Sequence, residues 1–157
     1  QPWASLVVEG IKRFEGRSWP TEYRGRLWIA SAARVPHDEE IAAVENQYKE
    51  TYHQGDAIPF PQAYPPSALL GCVDMVDCLD QEAFQGYRTQ HSSECVEDSE
   101  SPYLFVCQNP RKLAVPQKAK GGHKLWNLPP RTVSTVKSGL KPVSQQWLTE
   151  ARRRNQT

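Results

Sequence analysis

Apolar and polar positions along this chain fall into short blocks of differing period, separated by Pro, Gly and acidic turn residues, which predicts a small domain of mixed helices and strands. Pro2-Trp3-Ala4-Ser5-Leu6-Val7-Val8-Glu9 has Pro in a first-turn position, apolar side chains at Trp3, Leu6 and Val7, and Gly10 where a helix would stop. That spacing predicts a short helix, with Lys12 pointed by the turn that follows it. Leu27-Trp28-Ile29-Ala30-Ser31-Ala32-Ala33 combines large apolar and small residues as a buried strand does, and places Trp28 in the core. Pro36 to Glu40 opens an amphipathic helix carrying Ile41, Val44 and Tyr48, with acids at its N-terminus where the helix dipole favours them. Four prolines between Pro59 and Pro66 make an irregular connection into Ala68–Leu79, the strongest strand pattern in the chain, within which Gly71 predicts a bulge or tight bend. Asp80 to Phe84 reads as a short capped helix, and Arg88 to Pro102 as a loop too polar to pack. Tyr103–Cys107 returns as a strand, Leu113–Val115 as a short partner, and Gln145–Arg154 as a final helix anchored by Trp147 and Leu148. With no internal repeat or heptad, the pattern predicts an α+β fold built as a small mixed β-barrel with short flanking helices.

Length narrows this to one core. A chain of 157 residues, 38% hydrophobic with five Trp, six Tyr and four Phe, holds one ordinary domain, expected over residues 1–145, followed by a basic helix or tail over 146–157. No stretch approaches the roughly 18 apolar residues of a membrane helix, and no leader precedes a cleavage site, so no membrane partner is expected. Starting at Gln1 without Met, the chain reads as a piece of a longer protein. Cys72, Cys78, Cys95 and Cys107 form no C-x-x-C, and His37, His53, His91 and His123 are not spaced with them as metal ligands would be. Reduced thiols, no metal, no cofactor and a nuclear and cytosolic location follow as expectations.

Charge changes the picture more than composition. A formal net charge of +1 conceals a segregation: residues 1–30 hold five Lys/Arg against three Glu, residues 31–100 three against fourteen acids, and residues 101–157 eleven against Glu150 alone. Folding that brings the two ends together assembles a cationic face, the footprint of a polyanion, although solvated charge without a ligand would look the same in sequence. The candidate contacts are Lys12, Arg13, Glu15, Arg17, Ser18 and Trp19 near the N-terminus, then Arg24 and Arg26, then Lys118, Lys120, Lys124 and Trp126. Lys12 would act as a point-charge donor, and Arg17 as a planar fork for phosphate oxygens or a guanine edge. Glu15 would accept from an exocyclic amine or orient the two cations, and the Trp rings would stack on bases. Arg152-Arg153-Arg154 reads as a solvated terminus. No G-x-S-x-G, P-loop or H-E-x-x-H occurs, so the common enzyme motifs suggest no chemistry.

Three segments carry a resemblance. They are Gln1-Pro2-Trp3 with Gly10-x-Lys12-x-x-Glu15-x-Arg17-Ser18-Trp19 and Tyr23-Arg24-Gly25; Tyr64-Pro65 with Leu69-Leu70-Gly71-Cys72-Val73-Asp74 and Asp77-Cys78-Leu79; and Ser101-Pro102, Phe105-Val106-Cys107, Lys120-Gly121 and Lys124-Leu125-Trp126. Together they resemble the ASCH domain of the PUA-like superfamily over about residues 1–128. The resemblance implies a PUA-like β-barrel, a cleft lined by the G-x-K-x-x-E-x-R signature, and binding of single- or double-stranded DNA or RNA. It further implies service in a larger transcription-coactivator or ribosome-rescue assembly that includes a helicase. Some small bacterial relatives hydrolyse N-acylated cytidines with this Lys, a Thr three residues on and a distant Glu. Lys12 matches the Lys, but Glu15 stands where the Thr would be, so a binding module is expected and an amidohydrolase-like enzyme is the rival. A second rival is a protein-interaction module that docks through the acidic helix over 36–53 and the acidic loop.

Overall fold

The computed structural model describes residues 1–53, 57–94, 96–122 and 124–156. Helix α1 (Trp3–Val8) is followed by strands β1 (Phe14–Arg17) and β2 (Gly25–Ala30), helix α2 (Asp38–Tyr52), strand β3 (Ala68–Asp80) and helix α3 (Gln81–Gln90). Strand β4 (Tyr103–Lys118), helix α4 (Pro130–Val136), strand β5 (Leu140–Pro142) and helix α5 (Gln146–Asn155) complete the described elements. The sheet has the order β1-β4-β3-β2, with β5 pairing β4 off that path, and each pairing is antiparallel. Its two ends, β1 and β2, do not pair with each other among the described residues, so this is an open sheet and not the closed, mixed barrel expected.

The sheet bends because its two long strands slip register. Between β3 and β4 the pairing shifts at Leu69/Gly71, Cys72/Asp74 and Met75/Asp77, and each such bulge adds local twist. Gly71 lies at the first of them, where a Cβ would stand 2.1 Å from the Arg111 carbonyl oxygen. Here the expectation of a bulge at Gly71 holds. Residues 103–107 and 113–115, expected as separate strands, are instead parts of the single strand β4, carried past Asn109, whose φ of 53° marks the bend. Arg88–Pro102 also departs from expectation. Helix α3 runs on to Gln90, Val96 packs against Phe14, Phe84, Leu104 and Val106, and Glu97 is only 4% exposed.

Several core clusters follow, among them three that surround the sheet and α5. On one face of the sheet Phe14, Leu104 and Val106 meet Phe84 of α3, with the Phe14 and Phe84 rings 5.2 Å apart. On the other face Val7, Val73, Met75, Phe105 and Cys107 pack with Leu27, Ile29 and Leu125. A third cluster joins α1, α2 and α5 through Leu6, Tyr48, Tyr52, Trp147, Leu148 and Ala151, with Tyr52 edge-on to Trp147 at 5.0 Å. The C-terminal helix is thereby docked on the core by three buried residues, Ala151 adding to the two anchors expected. Asp80 caps α3 by accepting from Ala83 N at 2.8 Å, as its sequence predicts. Cys72, Cys78 and Cys107 are free, whereas Cys95 and His123 lie outside the described residues. Among the described residues no helix is long and apolar enough to cross a membrane, and no His/Cys/Asp/Glu group could hold a metal ion.

Candidate nucleic-acid interface

Gly10 ends α1 with φ 72°, and the next two amides, Ile11 N and Lys12 N, both donate to Leu6 O at 3.0 Å. This turn aims the chain at the edge of the sheet. There the Glu97 carboxylate receives it: Oε1 accepts from Arg13 N at 2.8 Å and from Phe14 N at 2.5 Å. The segment that follows becomes β1, and the period-two alternation of a strand then separates its side chains. Phe14 enters the α3-side core, while Glu15 and Arg17 share the opposite face. Gly16 allows the close approach that this register needs, since a Cβ there would lie 2.0 Å from Ser101 Oγ.

That opposite face is one wall of a cleft of about 780 Å³ between α1, β1, β2 and residues 119–122 and 124–128, with Val7, Phe105 and Cys107 among its apolar lining. Burial, with Glu15 and Glu97 nearby, pushes the Cys107 thiol up to about 12, so it stays protonated at neutral pH. Four cations reach the cleft, Arg17 and Arg26 from the N-terminal third and Lys120 and Lys124 from the basic C-terminal third. Glu15 is the single carboxylate among the described lining residues. It pairs with Arg17 through Oε1, and its Oε2 lies 3.9 Å from Lys12 Nζ.

Aromatic rings line the same space. Trp3, Tyr23, Trp28 and Trp126 all border it, with Trp3 40% and Trp126 36% exposed. Several carry cations: Arg26 lies 5.8 Å from the Trp28 centroid, Lys12 5.2 Å from Trp3, and Lys124 5.4 Å from Trp19. Local backbone sets the far wall. Lys124 has φ 52°, and a Cβ at Gly122 would stand 2.5 Å from the Trp126 side chain, so the glycine lets that indole fold back on its own turn.

Of the twelve residues expected here, Glu15, Arg17, Arg26, Lys120, Lys124 and Trp126 converge on the cleft. Lys12 stands beside it with its side chain 12% exposed, its ammonium donating to Phe14 O at 2.7 Å. Trp19 is half-buried, edge-on to Phe105 at 5.3 Å, and so supports the floor from below. Ser18 is exposed without lining the cleft. Arg24 is held by Asp77 at 3.3 Å, and Lys118 is exposed at the end of β4. Arg13 requires a correction, because it is 8% exposed and its Nε donates to Tyr52 Oη at 3.2 Å, which makes it a core charge and not a ligand contact. Trp28 requires the opposite correction. Expected fully in the core, it is half-buried, packed against the cluster of Leu69, Leu113 and Val136 while also bordering the cleft. Trp3, expected in the apolar stripe of α1 and quoted in the Gln-Pro-Trp segment but not among the candidate contacts, also borders the cleft.

Comparison with known proteins bears on the same residues. The ASCH domain family model matches residues 1–117. Two similar curated proteins are activating signal cointegrator 1 of Homo sapiens, 43% identical over 140 residues, and that of Mus musculus, 42% identical over 140 residues. Each alignment covers 89% of this chain, and the chain spans 23% of the length of either relative. With the family match running through α1, the signature, the sheet and most of β4, the chain belongs to the ASCH domain family.

Proposed function

We propose that this domain is a nucleic-acid-binding module that holds a DNA or RNA strand in the cleft, with weak sequence preference along the strand. The observation that carries this is the convergence of Arg17, Arg26, Lys120 and Lys124, from opposite ends of the chain, around a space bordered by the rings of Trp3, Tyr23, Trp28, Phe105 and Trp126. Cations neutralise phosphates and release counterions, while exposed indoles offer stacking surface to unpaired bases. The setting of Lys12 supports binding over hydrolysis. Its ammonium is held by Phe14 O and the Trp3 ring, and Glu15 occupies the place of a relay hydroxyl.

The relatives' name, activating signal cointegrator, supports membership of a coactivator assembly; a nuclear and cytosolic location and a helicase companion extend that reading. The bent open sheet supports kinship with PUA-like barrels. Fluorescence anisotropy with labelled single- and double-stranded oligonucleotides tests the proposal. The unaltered chain is expected to bind at low salt, and Arg26→Ala/Lys124→Ala to bind at least about tenfold more weakly. The slope of log K against log salt should also fall by roughly 1.4 to 1.8 for two lost phosphate contacts. Equal binding by both proteins, or binding by neither, would sink it.

A further inference from the structure

The cleft contains one group that a phosphate site does not need. Glu15 is the single carboxylate among the described lining residues, and a carboxylate repels phosphate. It is also held in place, because Arg17 engages Oε1 while Oε2 lies 3.9 Å from Lys12 Nζ and accepts no hydrogen bond among the described residues. An ionised carboxylate only accepts, so its partner must be a donor. The 40% exposed Trp3 borders the same cleft, and the Lys12 ammonium links the two, 3.9 Å from Oε2 and 5.2 Å from the centroid of the indole ring it covers on one face. A fixed acceptor next to an exposed indole, inside a ring of cations, is arranged for a base whose phosphates lie outward on Arg26, Lys120 and Lys124.

The bases differ sharply in what they offer such an acceptor. Guanine alone presents two neighbouring donors on its Watson–Crick edge, N1–H and the N2 amine. Adenine and cytosine present one amine each, and thymine and uracil one imide N–H between two carbonyls that a carboxylate repels. We infer that Glu15, seated beside the exposed Trp3 in a cationic cleft, reads an unpaired guanine of the bound strand through its N1–H and N2 amine. This rests on the nucleic-acid reading above and deepens it. It adds one discriminating position to a strand otherwise held by its backbone, and it requires that guanine to be free of its pairing partner.

Labelled dT12 carrying one central guanine, inosine, adenine or cytosine, or none, tests the inference with the unaltered chain. Inosine lacks only the N2 amine. The guanine strand is expected to bind about tenfold tighter than the inosine or all-thymine strands, the scale of one bidentate base contact. Annealing the guanine strand to its complement should remove the advantage. In Glu15→Gln the guanine and inosine strands should bind within about twofold of one another. The inosine comparison needs no variant and stands whatever that substitution does to folding. Equal binding of guanine and inosine strands by the unaltered chain overturns the inference while leaving the nucleic-acid reading intact, as does discrimination that persists in Glu15→Gln. Failure to bind any strand overturns both. Free GMP should compete only at far higher concentration than the guanine strand, and equal potency would reassign the site to a free nucleotide and overturn the strand-borne guanine.

Discussion

Glu97 shows how far a single residue can depart from its sequence neighbourhood. Ser92 to Ser101 is dense in acids and hydroxyls, and nothing in that composition separates Glu97 from Glu94 or Glu100. Yet Glu97 is buried, because the turn after α1 leaves Arg13 N and Phe14 N without strand partners and a carboxylate accepts from both. Its charge is felt around it. Burial first, and then Glu97, pushes the Tyr48 hydroxyl above its ordinary range. Removing the carboxylate strands two buried backbone donors, so Glu97→Ala should destabilise the domain by about 2–5 kcal/mol in urea denaturation. Hydrogen exchange at the Arg13 and Phe14 amides should accelerate in the same variant. A loss below about 1 kcal/mol, with those amides still protected, would show that the contact is dispensable.

At the scale of elements, the long patterns were legible and the short charged ones were not. Helix α1 with its Gly10 stop, the strand pattern of β3 and the bulge at Gly71 follow from apolar spacing and from the two glycines. Strand β1 does not, because Phe-Glu-Gly-Arg holds one apolar residue and reads as a turn; it is a strand only because β4 pairs with it, Glu15 opposite Phe105 and Arg17 opposite Tyr103. Tertiary pairing overrides propensity there, and the candidate site depends on it. Gly16 is the weak point of that pairing, since a Cβ would meet Ser101 Oγ at 2.0 Å and Ser101 Cβ at 2.6 Å. Gly16→Ala should therefore cost about 1–3 kcal/mol, the usual scale of overpacking. Ser101→Gly in the same chain removes both clashing atoms and should recover more than half of that loss. Denaturation midpoints of the two single variants and the double variant decide it, and simple additivity would mean that the strain lies elsewhere.

For the whole molecule, dividing the sequence by charge foresaw that its two ends would cooperate, and Arg17 and Arg26 do meet Lys120 and Lys124 around one cleft. What no charge count reveals is which charges are tied inward, as Arg13 is, or which partly buried aromatic rings also border the cleft, as Trp28 does. The burial that hides those groups also sets the pH range of the fold. Burial pushes the Cys107 thiol up to about 12 and drives the hydroxyls of Tyr48, Tyr52 and Tyr64 above their ordinary range. In the unfolded chain the thiol ionises near pH 9 and the phenols near pH 10. Each group therefore binds its proton more tightly when folded. Its contribution is complete below the unfolded value and is lost as pH rises towards the folded one. Urea midpoints should stay level from pH 7 to about 8.5, begin to fall near pH 9 with Cys107 and Cys72, and fall more steeply above pH 10 as the tyrosines follow. Three variants separate the contributions: Cys107→Ala should soften the fall above pH 9, Cys107→Ala/Cys72→Ala should hold its midpoint to about pH 10 because burial raises the Cys72 thiol as well, and Tyr48→Phe should flatten the slope beyond it. A midpoint unchanged up to pH 11 would mean that these groups reach solvent when folded, and so that the packing under the cleft and between α2 and α5 is looser than described.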